Sequence, residues 1–115
     1  MARQVPIMDR NEVQRELAAL PRWESDDGKI RRRYQTGGWR VSLMAANAIG
    51  FICEAADHHA DILVTWPAVE VVLATHSAGG ITAKDFEVAR LIERHLTWLP
   101  GDDSALDGAA QPLVK

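Results

Sequence analysis

The sequence predicts an α+β domain, a four-stranded, mostly antiparallel sheet with three helices packed on one face, in the order helix–hairpin–helix–hairpin–helix. Three observations carry this. Three stretches repeat apolar residues at helical spacing. Between them lie two pairs of β-rich runs, each pair joined by a turn too short for a crossover, so each turns back as a hairpin. One strand also sets Arg31, Arg33 and Gln35 on a single face, so the first hairpin shows one side to water.

Residues 1–8 read as a loose lead-in. Asp9 and Glu12 have capping-box spacing, and Val13, Leu17 and Leu20 follow on one face, which predicts a helix over 10–20 stopped by Pro21. Runs 23–25 and 30–36 flank Asp26-Asp27-Gly28, a turn signal because glycine accepts positive φ. Ile30, Arg32 and Tyr34 share the second face of that hairpin. Gly37-Gly38 breaks the chain before a helix over 39–57, where Val41, Met44, Ala45, Ala48, Ile52 and Ala56 keep helical spacing. Leu43, Ile49 and Phe51 widen its apolar surface, which predicts contact on two sides: its own sheet and another subunit.

Runs 61–66 and 69–75 are β-branched, with Pro67-Ala68 as the turn between them. After the loop Ser77–Gly80, Thr82 as N-cap and Asp85 at N3 open a third helix over 83–98. Its apolar face is Val88, Leu91, Ile92, His95, Leu96 and Leu99, and Pro100-Gly101 ends it. Residues 1–100 therefore form one domain, and 101–115, small, polar and unpatterned, are expected to be disordered. The strand order is left open.

A net charge of −3 gives no reason to expect nucleic acid or an anionic membrane as partner. The one basic run, Arg31-Arg32-Arg33, reads better as a solvated strand edge than as an anion site. The lone Cys53 cannot staple the domain and fits a reducing cytosol; within an apolar helical pattern it reads as buried and structural. Without a signal pattern or an apolar run near 18 residues, the expectation is a soluble, cytoplasmic protein.

The chemistry concentrates between Glu54 and Asp85, where three of the four histidines lie. His58 and His59 follow a helix C-terminus, whose carbonyls favour protonated imidazole, and Glu54 stands four residues before His58 on the same face. Such imidazoles can move protons near neutral pH; they can equally serve only as caps. Adjacent helical residues diverge by about 100°, so one metal ion takes both poorly, and no metal is expected. His76 follows a strand directly, and His95 reads as structural. Asp57 and Asp61 are turn residues or contacts for a donor-rich heterocycle, and Trp66 is core or a stacking wall for a flat ring. The residues alone reach proton transfer on a small polar or heterocyclic substrate.

The pattern Glu54-x-x-x-His58-His59, then Trp66, His76 and Asp85, resembles the pterin-4a-carbinolamine dehydratases over residues 8–99. The resemblance implies dehydration of a 4a-hydroxytetrahydropterin to quinonoid dihydropterin and water, in recycling of the tetrahydropterin cofactor. It implies His58 and His59 as the acid/base pair, with His76 as a third catalytic histidine that orients the pterin. It places Asp61, Trp66, Glu54 and Asp85 among the substrate-binding residues. No cofactor is implied, and the expected assembly is a homodimer or homotetramer through the second helix. The sequence departs from the family at Ala60, where proline is common, and at Pro67, where a polar residue is usual. Some members of the family are binding or assembly modules instead, among them a dimerisation cofactor and Rubisco-assembly relatives that lack active-site histidines.

Overall fold

The computed structural model describes residues 2–115. Its elements are α1 (Arg10–Leu17), β1 (Glu24–Asp26), β2 (Lys29–Gln35), α2 (Trp39–Ala56), β3 (Asp61–Val64), β4 (Ala68–Leu73) and α3 (Ala83–Leu96). The sheet order is β1-β2-β4-β3, and all three pairings are antiparallel.

The capping box of α1 forms as the sequence predicts, with Glu12 N–H donating to Asp9 Oδ1 at 2.8 Å. The helix is shorter than expected. Ala19 and Leu20 donate to carbonyls three residues back, and the tightened turn ends before Pro21, which disfavours helical backbone in the residue before it. In the first hairpin Asp26 pairs with Lys29. The turn is Asp27-Gly28 alone, with φ of 51° and 73°, the left-handed pair that suits the twist of a two-residue hairpin.

β2 pairs with β4 along its length, so it is interior and not the expected edge. Alternation sets Ile30, Arg32 and Tyr34 on the covered face, opposite Leu73, Val71 and Val69. Arg31 and Arg33 face the other way. Arg32 is thus buried, and its Nη1 donates to both carboxylate oxygens of Glu93 on α3. Trp23 Nε1 and Tyr34 OH each donate to Glu93 Oε1 at 2.9 Å, and the guanidinium lies 3.9 Å over the Tyr34 ring. Burial alone would raise the Glu93 carboxyl; donors from Arg32, Trp23 and Tyr34 outweigh it and hold it below the ordinary value. Burial, then the neighbouring carboxylate, push the Tyr34 phenol up.

α2 buries Ser42, Ala45, Ile49, Ile52 and Cys53. The buried stripe is rotated from the predicted one: Ile49 is at its centre, while Met44 is 52% exposed. Ser42 draws the helix round, because its hydroxyl meets Thr36 Oγ1 at 2.6 Å and donates to the Trp66 carbonyl at 3.1 Å. Leu43 and Phe51 remain on the outer side, Phe51 76% exposed. On α3, Phe86, Val88, Ala89 and Ile92 enter the core. His95 does not: it is exposed in the last turn, with Nδ1 3.2 Å from the Leu91 carbonyl. Residues 101–115 hold no helix or strand, yet Val114 is buried and Lys115 exchanges two backbone hydrogen bonds with Gln35.

Candidate active site

The histidine pair owes its placement to how α2 ends. Asp57 takes the left-handed conformation, φ 52°, usually left to glycine. Its N–H donates to Glu54 O, and His58 N–H donates to Cys53 O at 3.0 Å. These are the two bonds of a Schellman turn, and they fold the chain back across the helix end. His58 is thereby aimed at α3, where its Nε2 lies 2.7 Å from Asp85 Oδ1.

Asp85 is wholly buried and doubly used. Its Oδ2 accepts the Thr82 N–H at 2.9 Å, closing a capping box at the predicted N-cap of α3, and the Thr75 hydroxyl at 2.8 Å. Thr75 Oγ1 lies 2.7 Å from Thr82 Oγ1. A carboxylate with no exposed surface cannot touch a substrate, so the expected substrate contact at Asp85 is replaced by a hold on His58. The side chain of His58 is 12% exposed.

Helical spacing predicts that Glu54 holds His58. The Schellman turn breaks the helical register after Ala56, and Glu54 Oε1 meets His59 Nε2 instead, at 3.1 Å. Both side chains are more than half exposed, so this pair steers His59 and adds little stability. His76 comes directly after Thr75, exposed, at the start of a tight loop closed by Thr75 N–H to Gly80 O. Asp61 opens β3, exposed, and pairs with Val72 of β4. That register puts the start of β3 and the exit of β4 at one end of the sheet. Glu54, His58, His59, Asp61, His76 and Asp85 therefore belong to one pole of the molecule.

Trp66 does not. Its carbonyl is held by Ser42 in the first turns of α2, and the 18-residue helix, about 27 Å long, separates it from the histidines. Within one chain Trp66 cannot wall a ring bound at His58 or His59. Thr75 and Thr82 are the site residues that pattern reading missed. In the sequence Thr82 reads only as a cap, and Thr75 only as the end of a β-branched run.

A pocket of about 430 Å³ flanks His58 and is lined also by Arg3, Asp57, Lys84 and Glu87. A larger, mostly apolar cavity of about 640 Å³ lies elsewhere, between α2, the end of α3 and the tail, and none of the three motif histidines lines it. Among the described residues no group of three His, Cys, Asp or Glu side chains is set to hold a metal ion. No described helix is long and apolar enough to cross a membrane.

The model of the family described as pterin 4 alpha carbinolamine dehydratase matches residues 6–95. A relative from Aquifex aeolicus (strain VF5), provisionally named a pterin-4-alpha-carbinolamine dehydratase, is 38% identical over 75% of this chain and 87% of its own. One from Mycobacterium sp. (strain KMS), named in the same provisional way, is 38% identical over 78% of this chain and 96% of its own. Among solved structures, a transcriptional coactivator/pterin dehydratase from Brucella melitensis superposes with a TM-score of 0.72 at 27% identity, over 76% of this chain and 95% of that one. Family match, identity and fold agree: the chain belongs to the pterin 4 alpha carbinolamine dehydratase family.

Proposed function

We propose that the protein is a 4a-hydroxytetrahydropterin dehydratase that works by histidine acid/base catalysis, in recycling of a tetrahydropterin cofactor. The observation that carries this is the His58–Asp85 pair, built into the same pole as His59 and His76. The reaction breaks the C4a–O bond, with a proton delivered to the departing hydroxyl so that it leaves as water. The N5 proton is lost to a base, and the electron pair it leaves forms the N5=C4a double bond. One protonated and one neutral imidazole suit those two transfers, because imidazole can both donate and accept a proton. His58 and His59 are the pair, His76 orients the pterin, and Asp61 contacts it. Glu54 and Asp85 act through His59 and His58 respectively. No cofactor takes part, and the buried lone Cys53 suits a cytoplasmic enzyme.

The outer side of α2, with Leu43 and Phe51 exposed, supports a homodimer or homotetramer through that helix. The same surface favours a second reading, an assembly module, and the Brucella melitensis protein's name pairs coactivator with dehydratase. Stopped-flow dehydration of a 4a-hydroxytetrahydropterin decides between them. The enzyme accelerates it over the spontaneous rate, equally with and without chelator; a folded protein that gives no acceleration is a binding module.

A further inference from the structure

The hydrogen bonds around Asp85 form a directed relay, and its direction follows from counting protons. The carboxylate only accepts. Its Oδ2 already takes the Thr82 N–H at 2.9 Å, and it lies 2.8 Å from Thr75 Oγ1. Thr75 has one hydroxyl proton, and that proton must go to Asp85. The 2.7 Å contact between Thr75 and Thr82 is then made by the Thr82 hydroxyl donating to Thr75. Thr82 Oγ1 in turn accepts the Lys84 N–H at 3.2 Å, so no group in the chain is left with two protons facing each other. Thr75, Thr82 and Asp85 are all buried, so water cannot substitute for any of them.

The relay ends on His58. Asp85 Oδ1 is 2.7 Å from Nε2, and the carboxylate only accepts, so the proton between them is carried by Nε2. We infer that Thr75 is a positioning residue. Through Asp85 it holds His58 in the Nε2–H tautomer, which leaves Nδ1 as the only ring nitrogen able to exchange a proton with substrate. The tautomer assignment depends on this hydrogen-bond geometry alone; the use of Nδ1 on a pterin rests on the dehydratase reading.

Nitrogen-15 NMR of the histidine rings in the full chain tests it, because the two tautomers have distinct shifts and couplings. Neutral His58 shows the Nε2–H form. Thr75→Val keeps the shape and removes the hydroxyl; His58 then gains Nδ1–H population, and kcat falls about fivefold, the effect of one hydrogen bond of about 1 kcal/mol. Thr75→Ser restores the wild-type ring spectrum. Wild-type His58 in the Nδ1–H form overturns the inference, and so does a Thr75→Val chain that loses activity with its His58 spectrum unmoved, since that marks a merely structural residue. The expected ring spectra in a protein without dehydratase activity would uphold the relay and sink the proposed reaction, so the two failures are distinguishable.

Discussion

Asp57 sets the direction of everything that follows it. A left-handed residue there closes the Schellman turn, sends His58 to Asp85 and hands Glu54 to His59. The motif residues themselves were legible, since Glu54, the histidine pair, His76 and Asp85 stand out by type and spacing. Their partners were not: helical spacing pairs Glu54 with His58, and it fails because the register ends at Ala56. A non-glycine residue at φ 52° carries strain of roughly 1 kcal/mol. Asp57→Gly is expected to raise unfolding free energy by about 0.5–1 kcal/mol in urea titration; a loss would show that the Asp57 side chain holds the turn. Glu93 is the second decisive residue, and neither its burial nor its partners were legible, because Arg32 reads as part of a solvated run until β2 proves interior. Glu93→Ala leaves the Arg32 cation buried without a partner and is expected to cost about 3–5 kcal/mol. The pH dependence has a definite sign. The folded Glu93 carboxyl titrates below its unfolded value, so its stabilisation is present above the unfolded value of about 4.3 and is lost as pH falls through the folded one. Acid unfolding below about pH 4 is expected to be steeper in the wild type than in Glu93→Gln, and equal slopes would contradict it.

Among the elements, caps and turns were the most legible features, because their chemistry is local. The Asp9–Glu12 capping box, the Thr82 N-cap and the Asp-Gly hairpin turn form where the sequence places them. The strand order was not legible, since it depends on which hairpin strands meet through side chains distant in sequence. The buried stripe of α2 was misplaced for a related reason. A helix apolar on most sides offers several candidate stripes, and the Thr36–Ser42–Trp66 contacts choose among them. Trp39, Leu43, Met44 and Phe51 stay outside on α2, Phe51 the most exposed of them. Phe51→Asp puts a charge in any contact made there and is expected to shift the protein to monomer, read as mass by light scattering, with its melting behaviour as a monomer retained. An unchanged mass would remove α2 from the interface.

On the scale of the whole molecule the two ends of α2 mark two poles. One pole gathers His58, His59 and His76; the other joins Trp66, Ser42, Thr36 and the chain's last residue, which pairs with Gln35. The tail lies beyond the family match at residues 6–95, and its sequence predicts disorder because it has no apolar period; its docking uses one side chain, Val114, and backbone bonds, neither of which leaves a pattern. Deleting residues 101–115 uncovers Val41, Met44 and Ala48 on α2. It is expected to lower stability by about 1–2 kcal/mol, from burial of roughly one side chain, while dehydration is unaffected because the tail is at the far pole. The central claim, that the histidine pole carries the chemistry, is tested most directly by comparing His59→Ala and His95→Ala in stopped-flow dehydration. His59→Ala is expected to reduce turnover by about 10²–10⁴-fold with its unfolding midpoint retained, and exposed His95→Ala to change neither. Equal turnover in the two variants would contradict the account.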